Sequence, residues 1–452
     1  MKLTNTKFLV FGLGVTGKSA VSALLKEKAI VSVCEDKDPK DTYLELEKLG
    51  ATQVEVIENC SDDKIGDFDF ILKSPGIPPR HSIIKAAKER GVPMLSDIEL
   101  SYMLQPEMNT ICITGTNGKT TTTLLTSAII DEAGIKTASV GNIGKGILDE
   151  IGDDTKDKIF VIEASSFQLE YTIEFKPHVA VITNIGKDHL DWHESIENYI
   201  SSKLKIFTNQ KAEDFLILNY EDTLLREIEK SVESRIIWFS SKRELEKGLY
   251  IKHGMVVYSD GKTELEILSV NSVQIPGLHN LENVLAAAGA SICIGIETTH
   301  IRNAVAKFKG APHRLEPVRD ITGVSYYNDS KGTNPESVIK ALESFERPVI
   351  LIAGGYDKGA DYTELLNTFK IRGKALILMG ETAESIRTKA YELGIEEIYM
   401  ANGMKEAVEI AERISTPGDV VLLSPACASW DSYKNFEERG EHFKSLVNEI
   451  AG

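Results

Sequence analysis

The chain has 452 residues, too many for one ordinary hydrophobic core and enough for roughly two to four domains. Lysine and arginine number 51 against 68 aspartates and glutamates, and the resulting formal charge of −17 repels a polyphosphate backbone. We therefore expect no nucleic-acid partner. A single nucleotide stays possible, because a local cradle of backbone N–H groups can hold its phosphates whatever the global charge.

The sequence also gives expectations about the cellular compartment and about membrane insertion. No apolar run approaches the ~20 residues that span a bilayer, and the first residues carry no signal-peptide pattern. The five cysteines are scattered, odd in number and without a C-x-x-C pair, which predicts neither a disulfide framework nor a zinc ribbon. We expect a cytoplasmic enzyme that is not inserted in a membrane and that acts as a monomer.

The first part of the chain alternates short apolar runs with helical stretches such as residues 19–28. This βαβ pattern predicts a parallel sheet. Its clearest strands are predicted at residues 8–11, 30–34 and 68–72. A rigid loop, Ser74-Pro75-Gly76, leaves the third of them.

The same pattern restarts twice. The second block has predicted strands at residues 110–114, 159–163, 179–182 and 215–218, followed by a small antiparallel insert between Gly248 and Val273. The third block has predicted strands at residues 324–327, 349–352, 375–379 and 420–423. We predict three α/β domains: a Rossmann-like domain over 1–97, a central P-loop ATPase-like domain over 98–310 with a parallel sheet plus a small antiparallel sheet, and a C-terminal Rossmann-like domain over 311–452. Gly310-Ala311-Pro312 is the predicted second linker.

A glycine-rich loop follows the predicted strand at 110–114. It consists of Gly115, Thr116, Asn117, Gly118, Lys119, Thr120 and Thr121, and an apparent helix follows it. Its glycines allow successive N–H groups to face one anion, Lys119 can reach the β- and γ-phosphates, and the Thr120 hydroxyl can bind Mg²⁺. The spacing departs from the standard Walker pattern, since Ile113 stands at the first glycine position. The alternative is a glycine turn that only opens a helix, but the combination in this context favours nucleotide binding.

A second glycine pattern, Gly12-Leu13-Gly14-Val15-Thr16-Gly17, follows the first strand, and Glu35 and Asp36 lie at the end of the second. By itself this is a dinucleotide-binding fingerprint, and it suggests an NAD-dependent oxidoreductase. A lone G-x-G-x-x-G is weak support for that function. A glycine-rich turn that serves only packing is the further alternative.

Several longer motifs resemble those of the Mur ligases. The phosphate loop is similar to that of the Mur ligases and the folylpolyglutamate synthases, and further motifs fit in order along the chain. They are Gly141-Asn142-Ile143-Gly144, Glu163 to Leu169, Thr183 to Asp191, His279 to Asn283, Pro312-His313-Arg314, Asn328 to Asn334 and Ser424 to Ser429. The resemblance covers essentially the whole chain. Folylpolyglutamate synthases begin near their phosphate loop, whereas here about a quarter of the chain precedes it.

Within this family, the run from Ser424 to Gly440 is similar to the D-glutamate-adding members. The Asp-Asn-Pro-Arg tetrapeptide of the diaminopimelate- or lysine-adding members is absent. The resemblance implies an ATP-dependent ligase of cell-wall peptidoglycan synthesis that joins D-glutamate to UDP-N-acetylmuramoyl-L-alanine through an acyl phosphate, giving ADP and phosphate. The first domain would bind the UDP substrate and the second ATP, while the third would bind D-glutamate and close on ATP.

The resemblance also implies roles for individual residues. Lys119, Glu163, His189 and Lys203 would be catalytic, and two Mg²⁺ ions would be held by Thr120, Glu163, His189 and Lys203. ATP would contact residues 115–121 of the phosphate loop together with Asn283, Arg314 and Asp329. The UDP substrate would contact Val15, Thr16, Asp36, Lys37, Ser74, Gly76 and Asn142. D-Glutamate would contact His189, Lys331, Thr333, Lys358, Ser429 and Phe436.

Three of these residues have competing interpretations. Lys203 matches the lysine that the family carries as a carbamate formed from CO₂, whereas a helix lysine taken alone is a solvated charge. His189 and His193 have the i, i+4 spacing of a zinc pair but lack the glutamate of H-E-x-x-H. We therefore expect His193 to be an ordinary, partly exposed histidine. Glu163 ends an apolar strand, and the alternative to a metal-binding role is a structural ion pair.

Two functions of other classes remain open from the residues alone. One is the NAD-dependent oxidoreductase, and the other is a non-catalytic nucleotide-binding protein, which the intact set of Lys119, Glu163 and His189 disfavours. Cys427 is a candidate nucleophile, but no histidine or aspartate constellation supports it. We expect a small core cysteine there.

Overall fold

The computed structural model describes residues 3–35, 39–57, 62–186, 188–275, 277–357 and 359–451, which fold into three β-sheets with helices packed around them. Two compact units are formed. The first contains the described residues up to Ser272 and Leu281–Ala306, and the second contains those of Val273–Asn280 and from Lys307 onward. In the part of the chain that is described, no helix is long and apolar enough to cross a membrane.

The first sheet is parallel and belongs to the first unit. Its strands are β1 (Lys7–Phe11), β2 (Ile30–Cys34), β3 (Glu55–Val56), β4 (Phe70–Lys73) and β5 (Met94–Leu95). Their order is β3-β2-β1-β4-β5, with apolar clusters on both faces, as parallel sheets require. The helices are α1 (Val15–Lys26), α2 (Pro39–Lys48), α3 (Ser82–Arg90) and α4 (Asp97–Leu104).

Helix α1 begins four residues earlier and ends two residues earlier than the stretch predicted at 19–28. It starts directly after the glycine loop, and the chain leaves the helical conformation at Lys28, whose φ is +59°. The cysteine pattern predicted no disulfide framework, but Cys34 is disulfide-bonded. Cys112, Cys293 and Cys427 are free.

The second sheet, also in the first unit, has nine strands. They are β6 (Asn109–Thr114), β7 (Thr137–Gly141), β8 (Ile159–Glu163), β9 (Val179–Ile182), β10 (Phe215–Asn219), β11 (Arg235–Ser240), β12 (Lys247–Lys252), β13 (Met255–Asp260) and β14 (Glu264–Ser269). The order is β14-β13-β12-β11-β10-β9-β6-β8-β7. The predicted antiparallel strands are confirmed as β12, β13 and β14, but they do not form a separate sheet, because β12 also pairs with β11 in parallel.

This order places the ends of three strands side by side. Strand β6 lies between β8 and β9, and the chain leaves it first toward one edge of the sheet and later toward the other. Such a switch point opens a crevice at the carboxyl ends of the strands. The helices are α5 (Lys119–Glu132), α6 (Ser166–Leu169), α7 (Leu190–His193), α8 (Ile196–Leu204), α9 (Thr223–Glu227), α10 (Leu278–Cys293) and α11 (Thr298–Lys307).

The third sheet lies in the second unit and has the order β15-β16-β20-β17-β18-β19. The strands that bear these labels are β15 (Glu316–Ile321), β16 (Val324–Asn328), β17 (Val349–Ala353), β18 (Gly373–Leu378), β19 (Ile398–Met400) and β20 (Val420–Leu423). Only β15 is antiparallel to its neighbour. The helices are α12 (Pro335–Glu343), α13 (Thr363–Arg372), α14 (Ala383–Glu392), α15 (Met404–Ile414) and α16 (Phe436–Glu449).

The strands predicted in all three blocks are confirmed within one or two residues at most ends. Three sheets in three α/β blocks confirm the predicted fold class. The domain boundaries at 97/98 and 310/311 stay predictions.

The glycine loop of the first sheet depends on a close backbone approach. Gly12 has φ +91°, and a Cβ added to Gly17 would lie 2.0 Å from the Gly12 carbonyl oxygen. A Cβ at Gly14 would meet no atom within 4 Å. Gly17, not Gly14, therefore allows α1 to start against β1.

We predict that Gly17→Ala destabilises the first unit by about 1–3 kcal/mol, since the backbone must shift to admit the methyl group. Gly14→Ala is the matched control and should change stability by less than about 0.5 kcal/mol. Denaturant unfolding followed by circular dichroism would measure both. Equal stability of the two variants would show that the close approach has no energetic role.

Candidate active site

The phosphate-binding loop joins β6 to α5 and contains the expected glycines in positive-φ conformations. Gly115 has φ +151° and Gly118 has φ +83°. A Cβ on Gly115 would lie 1.9 Å from Thr183 Oγ1, and one on Gly118 would lie 2.2 Å from Asn283 Oδ1. Both positions are therefore restricted to glycine by neighbouring side chains as well as by conformation.

The loop is braced by residues that follow β9. Thr183 Oγ1 donates to the Asn117 carbonyl oxygen at 2.6 Å, and the Asn117 amide donates to Asn184 Oδ1 at 2.9 Å. Thr116 Oγ1 lies 2.9 Å from the Tyr199 hydroxyl. These contacts hold the loop open around its amides. The next two predicted ATP contacts, Thr120 and Thr121, are buried in the first turn of α5.

Two lysine ammonium groups converge on one carbonyl oxygen in this loop. Lys119 Nζ and Lys203 Nζ each donate to the Gly115 carbonyl oxygen at 2.8 Å. Lys119 also donates to the Thr116 carbonyl oxygen at 2.9 Å, and Lys203 lies 4.8 Å from the centre of the Tyr199 ring. The end of β6 therefore brings two lysine side chains together, with Glu163 and Asp188 close enough to act on the pKa of Lys203.

The environment of Lys203 differs from that of an ordinary helix lysine. Its side chain is 1% exposed, so the solvated charge considered as the alternative from sequence is wrong. Burial, reinforced by the charge of Lys119, lowers the pKa of Lys203 well below its usual value, while Asp188 and Glu163 act in the opposite direction. A larger share of neutral amine follows, and neutral amine is the form that reacts with CO₂.

Glu163 ends β8 beside this loop and is 1% exposed. Its Oε1 accepts a hydrogen bond from Asn142 Nδ2 at 2.9 Å, whereas its Oε2 is buried without a hydrogen-bond partner. No lysine or arginine of the described residues forms an ion pair with Glu163. The structural ion pair considered from sequence is therefore not formed. A buried carboxylate oxygen in this state fits a site that completes its coordination with a cation.

His189 precedes α7 in a left-handed conformation, with φ +51° and ψ 34°. About half of its side chain is exposed, Nε2 lies 3.5 Å from Asp188 Oδ2, and its ring centre is 4.8 Å from that of Phe167. A positive φ on a bulky residue costs free energy and is found at functional sites. The conformation is consistent with the role expected from sequence.

The expectation for His193 is wrong. Its side chain is 4% exposed, and Nε2 and Nδ1 lie 2.9 and 3.4 Å from the hydroxyls of Ser166 and Ser202. Both ring nitrogens thus have partners in the core. The described residues contain no group of three or more histidine, cysteine, aspartate or glutamate side chains that could hold a metal.

The first-sheet site is organised around the Gly12 loop. The Leu13 amide donates to the Glu35 carboxylate, and Ser74 Oγ donates to the Gly12 carbonyl oxygen at 2.9 Å. Val15 is 77% exposed at the start of α1, followed by Thr16, and Gly76 is exposed after β4. Asp36 and Lys37 lie outside the described residues. A cavity of about 370 Å³ adjoins the loop and is lined in part by Leu13, Lys18 and Glu35.

Asn142, the remaining predicted contact of the UDP substrate, lies next to the second sheet. It follows β7 and binds Glu163, which places it beside the phosphate loop. Asn283, in α10, also lies against that loop, because its Oδ1 accepts a hydrogen bond from Thr122 Oγ1 at 3.3 Å.

The second unit brings most of its predicted residues together. Asp329 follows β16 and accepts hydrogen bonds from Ser424 Oγ at 2.6 Å and from the Leu315 amide at 3.1 Å. Arg314 is exposed and close enough to act on the pKa of Asp329. Lys331 Nζ lies 5.7 Å from the centre of the Phe436 ring. Thr333 is half-buried in the loop after Lys331, and Lys358 lies outside the described residues.

Sequence reasoning missed Arg439, which holds the loops of this site together. Its guanidinium donates to Ser330 Oγ at 3.0 Å and to the carbonyl oxygens of Ser330, Ala428 and Cys427 at 2.9, 3.1 and 3.2 Å. It is 1% exposed, and burial lowers its pKa to about 10. Ser429, next to these carbonyls, is 2% exposed. The sequence signal that could have identified Arg439 is the Glu-Arg-Gly that ends the last motif.

Cys427 is confirmed as a core residue. It is 2% exposed, and burial raises the pKa of its thiol. Tyr362 Oη and Thr382 Oγ1 each lie 3.2 Å from Sγ. A thiol in these surroundings is not activated as a nucleophile.

A glycine loop at the switch point of a parallel sheet, opening a helix beside two lysines and a buried carboxylate, defines a P-loop nucleotide-binding protein. Family models extend this along the chain. "Mur ligase MurD-like, N-terminal domain" matches residues 6–96, "Mur ligase middle domain" matches 113–291 and "Mur ligase, glutamate ligase domain" matches 313–427. The chain belongs to the Mur ligase family.

Curated relatives match over their full length. The UDP-N-acetylmuramoylalanine–D-glutamate ligase of Alkaliphilus metalliredigens is 40% identical over 100% of this chain and 99% of the relative. The enzyme of the same name from Clostridioides difficile is 41% identical over 100% of both chains. Among solved structures, the UDP-N-acetylmuramate–alanine ligase of Thermotoga maritima matches 98% of this chain and 99% of its own with a TM-score of 0.58 and 19% identity, which shows the fold.

We predict that the unfolding free energy of the unmodified chain, relative to Asp329→Asn, falls as the pH rises. Burial raises the pKa of Asp329 to about 6, so the neutral carboxyl stabilises the fold below its unfolded pKa, and this contribution is lost as the pH passes about 6. The difference should change by ~2–3 kcal/mol between about pH 4 and about pH 7. Denaturant unfolding at both pH values would measure it, and a constant difference would contradict it.

Proposed function

We propose that this chain is an ATP-dependent ligase that joins the amine of D-glutamate to the L-alanine carboxylate of UDP-N-acetylmuramoyl-L-alanine. ATP is converted to ADP and phosphate, and the product is a precursor of peptidoglycan. The main support for this proposal is full-length similarity, at about 40% identity, to relatives named UDP-N-acetylmuramoylalanine–D-glutamate ligase. The phosphate loop beside a buried, incompletely coordinated carboxylate supports the same chemistry.

Each domain has a proposed substrate. The first, 1–97, binds the UDP part through Val15, Thr16, Asp36, Lys37, Ser74 and Gly76. The second, 98–310, binds ATP, and its Asn142 also contacts the UDP substrate. The third, 311–452, binds D-glutamate and closes on ATP through Arg314 and Asp329. The nucleotide-linked substrate and ATP support a cytoplasmic location, where we propose that the chain acts as a monomer.

In the first step, an oxygen of the L-alanine carboxylate attacks the γ-phosphorus of ATP, the bond to the β-bridging oxygen breaks, and ADP leaves. Several negative charges approach one another, so the barrier falls only where positive charge is already in place. Lys119 and the amides of the loop supply that charge. Lys203 adds to it as an ammonium or, as a carbamate, contributes an anionic ligand.

The residues around Glu163 fit Mg²⁺. Glu163 Oε2 is a buried oxygen without a hydrogen-bond partner, and Thr120 lies in the first turn of α5, directly after the phosphate loop. We propose that Thr120, Glu163, His189 and a carbamylated Lys203 hold two Mg²⁺ ions, which would neutralise phosphate charge when bound.

In the second step, the D-glutamate amine attacks the acyl carbon, a tetrahedral intermediate forms, and phosphate leaves while the nitrogen loses a proton. The substrate carries two carboxylates, which require separate cationic or N–H groups. We propose His189, Lys331, Thr333, Lys358, Ser429 and Phe436 as the contacts of D-glutamate. Arg439, which touches none of the reacting atoms in this scheme, keeps the loops of Ser330 and Ala428 in place.

The assay that tests the function is phosphate release with UDP-N-acetylmuramoyl-L-alanine, ATP and one amino acid at a time. We expect release with D-glutamate and none above background with L-glutamate, L-alanine or L-lysine. UDP-N-acetylmuramate with L-alanine is the control for a different member of the family. Turnover in that control, without turnover on D-glutamate, would refute the proposal.

The carbamate leads to a prediction about Lys203. Lys203→Arg keeps a cation but cannot form the carbamate, so kcat should fall by about 100-fold or more. Lys205→Arg is the matched control, since Lys205 instead donates to the Glu170 carbonyl oxygen, and its effect should be less than about threefold. With ¹³C-bicarbonate, the unmodified chain should give a carbamate NMR signal that Lys203→Arg lacks. Normal turnover of Lys203→Arg in CO₂-depleted buffer would exclude the carbamate.

A further inference from the structure

Lys73 is a buried lysine that forms no ion pair with any carboxylate of the described residues. It is the last residue of β4, is 2% exposed, and donates to the Ser74 carbonyl oxygen at 3.1 Å. Across the described residues, no carboxylate lies within ion-pair distance of Lys73. Glu170 acts on its pKa from farther away, but the Glu170 carboxylate accepts a hydrogen bond from Ser202 Oγ at 2.6 Å.

Two aromatic rings from the second sheet's helical layer flank the ammonium group. Lys73 Nζ lies 4.8 Å from the centre of the Tyr171 ring and 5.1 Å from that of Trp192. The Tyr171 hydroxyl and the Trp192 indole N–H are both buried without a hydrogen-bond partner. The cluster is therefore rich in donors and poor in acceptors, unlike a polar network built for stability.

Such an arrangement is costly to the fold. Desolvation of Lys73 outweighs the distant attraction of Glu170 and lowers the pKa of the ammonium group to about 7. Buried unpaired charges generally destabilise a protein relative to an apolar residue of similar size. A role in stability alone does not account for Lys73.

The contacts of Trp192 lead to His189. Trp192 belongs to α7, and its amide donates to the His189 carbonyl oxygen at 3.1 Å. Phe167 joins them on the other side, with ring-centre distances of 4.6 Å to Trp192 and 4.8 Å to His189. The left-handed conformation of His189 is thus supported by an aromatic cluster that Lys73 also contacts.

We propose that Lys73 is a positioning residue that couples the Ser74 loop to the helix that starts after His189. Its ammonium group binds the loop backbone on one side and Trp192 on the other, so that binding of the nucleotide-linked substrate at the loop fixes His189 for the reaction. This rests on the proposed function, which assigns the UDP part to that loop.

The kinetic test uses Lys73→Met, which removes the charge and keeps the length of the side chain. We expect an unchanged or higher Tm, an approximately tenfold lower kcat and an approximately fivefold higher KM for UDP-N-acetylmuramoyl-L-alanine, with an unchanged KM for ATP. Lys73→Arg should recover part of kcat. Lys88→Met, on the exposed side of α3, is the control and should behave as the unmodified chain. Normal kcat and KM in Lys73→Met, or a lower Tm as the only effect, would overturn the proposal.

A spectroscopic test separates this proposal from the catalytic one. The chain has three tryptophans, and Trp238→Phe with Trp430→Phe leaves Trp192 as the only reporter. UDP should change Trp192 emission in this background, and adding Lys73→Met should abolish the change while calorimetry still detects UDP binding. If UDP does not change Trp192 emission, or if the change is also seen in Lys73→Met, the coupling is refuted. Phosphate release by the unmodified chain tests the proposed function independently.

Discussion

The convergence of two lysine ammonium groups on the Gly115 carbonyl oxygen is the interaction on which the rest of the site depends. Both hydrogen bonds measure 2.8 Å, and burial together with the nearby charge of Lys119 lowers the pKa of Lys203. The positive charge of Lys119 attracts phosphate and also opposes the charged form of Lys203. Glu163 lies nearby with one carboxylate oxygen uncoordinated. The fold thus concentrates cationic and anionic side chains around the phosphate loop.

The backbone makes this convergence possible. Gly115 and Gly118 adopt positive φ, and the side chains of Thr183 and Asn283 occupy the space that a Cβ would need. Because β6 lies between β8 and β9, residues far apart in sequence reach this loop from both sides. The loop of the first sheet is closed differently, since the Glu35 carboxylate accepts its Leu13 amide.

Buried lysines and aromatic rings form a shared layer behind the phosphate loop. Lys203 lies over Tyr199 and Lys73 lies over Tyr171 and Trp192, each at 4.8–5.1 Å. His193 lies inside the same layer, with its ring 5.3 Å from that of Tyr199. Aromatic faces stabilise a cation less than water does, so burial against these rings disfavours the charged form of both lysines. The layer connects residues of the first two sheets within one compact unit.

The sequence by itself determined the features that depend on local pattern. Apolar periodicity located the strands, glycine spacing located the loops after β1 and β6, and the position of Glu163 at a strand end indicated a candidate functional carboxylate. These signals are local because backbone conformation and strand burial are set by neighbouring residues. The order of the motifs carried the family resemblance, and family membership, not the lone G-x-G-x-x-G, decides against the oxidoreductase.

Only the tertiary structure decided which polar residues are buried. Lys203, His193 and Lys73 have the sequence signature of surface residues, yet each is less than 5% exposed. Arg439 is assigned a role only by the loops that it joins, and the antiparallel strands extend the central sheet only through the pairing of β11 with β12. Burial and hydrogen bonding of a side chain depend on residues that the chain brings from far away in sequence, and one sequence carries no direct record of that proximity.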